Sequence, residues 1–395
     1  MELLPPTIAD SDSLRLACEI LALDRAPAGR MALRLRLMQP DVSWPALIDL
    51  ANQQGVLVPL IHALKQDGLL LPVRAAASPA ERENHVTTRL DQAYRDHLTR
   101  RADLTDQIEA IIRALAPLGI EPLLLKGARH LVAPLSPWCA ARSMRDLDIC
   151  VAPDRLDEAV STLRTLGYEA IEEGTAFDHH APAMALTGRH GAVELHVDAL
   201  ALGGRKVLTT TEAWQHSEQI VATFGTFRVL RPQWHLLHGL LHHEIAERGH
   251  RRHILALKGL FEFASLGVSL PAAHWQELAD HMAARGQAAA FGSWVAQAGM
   301  LFGLPLPDGP AITPDARRHA EATLARASDP YWRRRIGFIA DQLRFAFARE
   351  TLAHRYRMDE RDVTVATALS QAGSILGRYG LGIVSRIAGR QDRSS

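Results

Sequence analysis

The chain has 395 residues, more than one compact core usually needs, and its 47% apolar and 22% charged side chains are the usage of an ordinary globular protein. Its 44 Lys and Arg balance 44 Asp and Glu, so no bulk charge draws it to nucleic acid. The three cysteines Cys18, Cys139 and Cys150 show no Cys-x-x-Cys spacing, which excludes a disulfide framework and a thiolate zinc site and fits a cytoplasmic protein. The N-terminus lacks a basic start followed by an apolar stretch, so it is expected to remain in the mature chain. The apolar segment from Ala366 carries Arg378, Arg386 and five glycines, and no transmembrane segment is expected.

From Ser13 to Leu71, apolar residues recurring at three and four predict several short helices. A break at 72–83 precedes a long amphipathic helix from about Pro79 to Leu118, stopped by Pro117, Gly119 and Pro122. The pattern then changes. Short strands EPLLLKG and LDICVA bracket a loop, LDEAVSTLRTLGY is a helix ended by Gly167, and HHAPAMALTG and GAVELHVDAL are strands joined around Gly188 and Gly191. A last strand is FRVLRP near Phe227, and beyond Trp234 the pattern is helical. The predicted class is α+β, with a helical N-terminal region at 1–105, a small mixed-sheet core at 106–232 and a helical region at 233–395 forming the other wall of a cleft.

In RDLDICV, strand alternation points Leu147, Ile149 and Val151 to one face and Asp146 and Asp148 to the other. In AVELHVDAL it places Glu194, His196 and Asp198 together, so on a neighbouring strand Glu194 joins the aspartates. Three crowded carboxylates repel, an arrangement that a hard divalent cation neutralises; magnesium, or manganese, is the candidate, with Asp146, Asp148 and Glu194 as ligands. Without a cation, neutralising either aspartate should relieve repulsion. Gly127 lets backbone approach a triphosphate, a helix starting at Ala128 would aim N–H groups at it, and Lys126, Arg129, Arg142 and Arg145 add positive charge.

LLLKG, then R-x-x-RDLDICV, then a helix ending in LGY, then G-x-VELHV, resembles the uncharacterised nucleotidyltransferase family of the DNA polymerase β-like superfamily, over roughly Ile108 to Pro232. The resemblance implies a glycine turn at Gly127 for the triphosphate, metal binding by Asp146 and Asp148, and Glu194 as third carboxylate. It implies transfer of a nucleoside monophosphate from a nucleoside triphosphate to a small-molecule or peptide acceptor by a two-metal mechanism. Family members near genes for modified-peptide biosynthesis point to a specialised acceptor. The chain departs from the superfamily in having Gly127-Ala128 for Gly-Ser or Gly-Gly, and in a longer gap before the aspartates, expected to form a loop or short helix over the site.

His196 would touch the acceptor or act as a base, against the simpler reading of a half-buried sheet histidine. Arg142 and Arg145 have a competing role as salt-bridge partners of the aspartates. His238 and His242 share a helical face near His235, a spacing compatible with zinc, but HExxH is absent; packing is the simpler account, and among functional ones His242 faces the nucleotide cleft. A second LKG, Leu257 to Gly259, lies in a helical pattern with no Asp-x-Asp after it and serves as a control. The run Arg333 to Arg335 reads as a solvated helix face. Two rival functions are a non-catalytic binding protein on this fold and an RNA-modifying nucleotidyltransferase.

Overall fold

The computed structural model describes residues 11–23, 26–69, 86–171, 180–305, 312–356 and 358–373. Helices α1 (Ser11–Leu21), α2 (Pro27–Leu37), α3 (Trp44–Gln53) and α4 (Leu57–Gln66) come first. The expected break at 72–83 and the proposed helix start at Pro79 lie outside the described residues. The long helix is described as α5 (Val86–Leu115), and it closes through a 3-10 turn at Ala116–Leu118 onto Gly119, whose φ of 69° suits a residue without Cβ.

The central region runs β1 (Leu123–Leu124), α6 (Lys126–Val132), β2 (Asp146–Cys150), α7 (Leu156–Thr165), β3 (Glu169–Ala170), β4 (Met184–Ala185) and β5 (Ala192–His196). It continues through α8 (Leu202–Arg205), α9 (Thr210–Gln215), β6 (Ser217–Ala222) and β7 (Gly225–Leu230). After it come α10 (Pro232–Leu241), a π turn (His242–Ala246), α11 (Gly249–Arg252), α12 (Leu257–Gly267), α13 (Ala272–Ala284), α14 (Ala288–Phe302) and α15 (Pro314–Ala327). Residues up to Asp329 form one compact unit; those from Pro330, with α16 (Tyr331–Ala346) and α17 (Arg349–Tyr356), form another. Among the described residues no helix is long and apolar enough to cross a membrane, and most of the segment following Ala366 lies outside them.

The seven strands form one mixed sheet in the order β3-β4-β5-β2-β1-β7-β6, which is the α+β architecture expected from the sequence. β2 runs antiparallel to β1 and parallel to β5, so the three strands expected to carry the site are neighbours. Sequence alternation missed β6, which pairs with β7 in a hairpin turning at Gly225. β6 is an edge strand with Glu218, Gln219 and Val221 exposed, and only Ile220 and Ala222 pack against the core, too short an apolar rhythm to read.

The sheet separates two cores. Leu124, Leu147, Ile149, Val193, Leu195, Phe227 and Val229 pack with Leu104, Ile108, Ile111, Ile112 and Leu115 of α5 on one side. Leu123, Leu125, Cys150 and Leu230 belong to a second core shared by the N-terminal helices and by α10, α12 and α14. The face of β2 that carries the aspartates is therefore not a solvated one: at Cys150, two residues beyond Asp148, it is fully buried.

Gly191 fixes the register that matters. Its φ is 76°, a Cβ there would lie 2.8 Å from the Arg145 carbonyl oxygen, and the next amide, that of Ala192, donates to that same oxygen at 3.2 Å. Gly191→Ala should cost about 1–3 kcal/mol in urea unfolding through overpacking and backbone strain. A variant as stable as the wild type would show that β5 can slide against β2.

Candidate active site

In the parallel β2–β5 pair, Asp148 stands opposite Glu194 and Cys150 opposite His196. On the other side of β2, the Leu125 amide donates to the Asp148 carbonyl at 3.1 Å, which brings Lys126, the next residue, beside the Asp148 side chain. Lys126 Nζ donates to Asp148 Oδ1 at 2.7 Å, and His196 Nε2 donates to the same oxygen at 3.0 Å. Asp148 is 1% exposed. Burial alone would raise its carboxyl, but Lys126 and His196 hold it well below the usual carboxylate range. His196 is itself buried, within 3.5 Å of Glu194 Oε2; burial lowers it, but Asp148 and Glu194 more than restore its basicity.

Asp146 differs. Its carboxylate makes no hydrogen bond or ion pair among the described residues, and burial together with the Asp148 charge pushes it up. Asp148, Glu194 and His196 each offer one ligand atom within 4.8 Å of the others, whereas Asp146 lies one step down the same face and outside that set. Asp148 Oδ2 accepts no hydrogen bond among the described residues and is the oxygen left for a cation. The donors suit a hard ion: an unpaired Asp146 carboxylate, Asp148 Oδ2 and Glu194, whose side chain is a quarter exposed.

The turn between β1 and α6 takes an unexpected form. The helix begins at Lys126, two residues ahead of the predicted start, and the Ala128 N–H is spent on the Leu125 carbonyl at 3.1 Å. Lys126, not the glycine, is left-handed, with φ 43°. Gly127 is needed for close approach: a Cβ there would strike the Arg142 guanidinium and lie 2.8 Å from Met144 Cγ. Ala128 is fully buried in the core beneath the sheet, so a methyl replaces the superfamily's hydroxyl.

The predicted cations divide accordingly. Arg142 donates from Nε to Glu262 Oε2 at 2.8 Å, so its ion pair is with α12 and not with the aspartates; burial lowers its basicity and Glu262 overcompensates. Arg129 turns to the Ala133 and Leu230 carbonyls and to Glu218, none of them a residue of the carboxylate face. Arg145 is exposed beside Asp146. The segment 128–145 is no free loop: Arg101 donates to the Cys139 and His130 carbonyls, and His97 to that of Ala140.

Lys126, Arg142, His238, His242, His243 and Glu262 line a cleft between the β1–α6 turn, α10, the π turn and α12. His242 lines this cleft, with its Nε2 3.1 Å from Glu247; burial and Lys126 keep it below the usual histidine range. His238 is held by the Ala199 carbonyl at 2.8 Å and is not paired with His242. His180 bridges backbone to backbone with His196, while His179 lies outside the described residues.

Sequence reading missed Lys258, Gly259 and Glu262, all in or just beyond the second LKG. Lys258 has no hydrogen bond or ion pair among the described residues; burial, then Arg142, lowers its ammonium to about 8, with Asp146 and Glu262 opposing. A Cβ on Gly259 would lie 2.7 Å from His243 Nε2. The signal was the repeat of Lys-Gly itself, with an acidic residue one helical turn beyond.

An α+β sheet with carboxylates converging from adjoining parallel strands is that of a nucleotidyltransferase core. The chain belongs to the uncharacterised nucleotidyltransferase family, whose model matches residues 40–303. The matched span reaches beyond the core on both sides, taking in α3 and α4 and the helices α10 to α14 that carry His242, Lys258 and Glu262. No curated protein and no solved structure matches the chain.

The two aspartates should respond to neutralisation with opposite sign, which corrects the expectation that both relieve repulsion. Asp146, raised in the fold, resists ionisation, so Asp146→Asn should raise the metal-free melting temperature at neutral pH. Asp148, depressed in the fold, contributes stability that is complete above its unfolded pKa of about 3.9 and is lost as pH falls through its folded value. Asp148→Asn strands Lys126 and should cost about 3 kcal/mol, the low end for a broken buried pair because Lys126 keeps contact with the cleft. Equal shifts in the two variants, measured by calorimetry in chelator, would remove the distinction.

Proposed function

We propose that the protein transfers a nucleoside monophosphate from a nucleoside triphosphate to a hydroxyl of a small-molecule or peptide acceptor. The observation that supports this reading is the unpaired Asp146 carboxylate beside Asp148 and Glu194, with the ammonium groups of Lys126 and Lys258 near enough to act on it. The acceptor hydroxyl gives up its proton to solvent as its oxygen bonds to the α-phosphorus, the bond from that phosphorus to the bridging oxygen breaks, and pyrophosphate leaves with the electron pair. Magnesium held by Asp146, Asp148 and Glu194 in a two-metal arrangement would neutralise the triphosphate and make the acceptor hydroxyl more acidic.

The chain's own groups have distinct tasks. Glu194 is lowered by its hydrogen bond from His196, with burial opposing, which suits it to holding a cation better than to taking a proton. His196 keeps the Asp148 carboxylate oriented. Lys126, Arg142 and Lys258 supply positive charge for the phosphates, with Gly127 admitting Arg142 and His242 lining the cleft near the base or sugar. Arg129 is engaged elsewhere and has no part in this reading.

One observation favours a rival. Lys126 on Asp148 at 2.7 Å already supplies a cation, as a non-catalytic binding protein on this fold would need. Incubation with labelled triphosphates, magnesium or manganese, and source lysate separates the two. We expect label transfer to a small molecule or peptide, reduced about a hundredfold or more in Asp146→Asn, the scale of losing one electrostatic stabiliser. Nucleotide binding without any transfer would establish the rival, and labelled RNA would make the acceptor a nucleic acid.

Lys258 gives a pH test. Phosphate attraction requires its charged form, so affinity for magnesium nucleotide should fall as pH rises through about 8 and the fall should flatten in Lys258→Met. An identical pH profile in the variant, read by titration calorimetry, would take Lys258 out of the nucleotide site.

A further inference from the structure

We propose that His130, His235 and Glu262 form a binding site for one divalent transition-metal ion of the zinc class, separate from the carboxylate face. The three side chains come from different helices, α6, α10 and α12, and no spacing along the sequence links them. His130 Nε2 lies 3.1 Å from Glu262 Oε1, His235 Nε2 lies 3.1 Å from His130 Nε2, and His235 Nε2 lies 3.6 Å from the same Glu262 oxygen. Zinc binds imidazole nitrogen and carboxylate oxygen at about 2.0–2.2 Å, so the corners of a tetrahedron around it lie about 3.3–3.6 Å apart. The observed triangle has the size of one face of that tetrahedron.

Hydrogen bonding is the alternative arrangement: both rings can carry Nε2–H and donate to Glu262 Oε1, at 3.1 and 3.6 Å. It sets two donors only 3.1 Å apart. A cation in place of the two protons uses all three lone pairs at once.

The surroundings agree with the assignment. His130 is fully buried and His235 is 4% exposed, and Nδ1 of each ring has no hydrogen-bond partner among the described residues, so it is Nε2 that aims both rings at one point. Arg142 takes the second oxygen of Glu262 at 2.8 Å and leaves Oε1 to the ion, the support from outside the ligand set that metal-bound carboxylates use. Two imidazoles with one carboxylate favour zinc over magnesium or calcium. A narrow pocket lined by His130, Cys139 and Glu262 adjoins the cluster and leaves a fourth position open to the Cys139 thiol or a water. The ion would fasten α6 to α10 and α12 and so hold the Lys126–Gly127 turn and Arg142 against the cleft.

The test is stoichiometry and ligand identity on the full chain. Protein dialysed against chelator and then against zinc should retain one equivalent that His235→Gln and Glu262→Gln lose, while His242→Gln and Asp148→Asn keep it. The cobalt-substituted wild type should show the intense visible bands of a tetrahedral ion, and X-ray absorption of the zinc form should show two imidazoles, readouts that need no variant to fold. Failure of the wild type to retain zinc, an octahedral cobalt spectrum, or loss of zinc from His242→Gln but not from His235→Gln would overturn the assignment, the last placing the ion at the His242, His243 and Glu247 cluster instead.

Discussion

A carboxylate buried in the middle of a sheet must be satisfied from within the protein, and the architecture around β2 is organised by how Asp148 meets that demand. One oxygen takes two charge-assisted hydrogen bonds, from Lys126 on the strand side of β1 and from His196 on β5. Both partners depend on sheet order: exchange β1 and β5 for any other neighbours and neither donor arrives. The left-handed backbone of Lys126 is strained for a residue with a side chain, and it turns the ammonium back onto the strand that β1 has just paired with.

Close backbone approach then joins the sheet to the helical layer. Gly127 admits the Arg142 guanidinium, whose Glu262 partner comes from α12, and Gly259, three residues before Glu262 on that helix, admits the His243 ring. Each glycine sits where a Cβ would push apart two elements that both contribute charge to the cleft. The N-terminal helices support the same layer through the shared core, and the Leu23 amide donates to the Phe302 carbonyl at 3.0 Å.

Strand periodicity carried the central result because it acts over a few residues: alternation alone put Asp146 and Asp148 on one face and Glu194 on a matching one, and the β2–β5 register brings Asp148 opposite Glu194. It could not show that this face is buried, since that depends on helices far along the chain, and so the sign of Asp148's contribution was misjudged. The partner of Arg142 lies 120 residues away, and His130 meets His235 across 105; neither pairing leaves a local trace. The second LKG was set aside because no Asp-x-Asp follows it. In the fold its Lys258 lies near enough to Asp146 for the two charges to act on each other.

Once Lys126 has paired with Asp148, Arg142 with Glu262 and His196 with Glu194, Asp146 on the sheet and Lys258 on α12 have no ion pair among the described residues. On the nucleotidyltransferase reading, a bare triphosphate beside Asp146 and Glu194 would meet like charge, and a bare divalent ion there would be repelled by Lys126 and Lys258. A triphosphate that carries its cation presents both signs and meets neither penalty. On the nucleotidyltransferase reading, the two ligands are therefore coupled by the cleft's own polarity, each lowering the cost of the other, and by reciprocity the strengthening is the same whichever binds first. On the same reading Asp148 gives one oxygen to Lys126 and His196 and keeps Oδ2 for the cation, to which Asp146 brings an unpaired carboxylate.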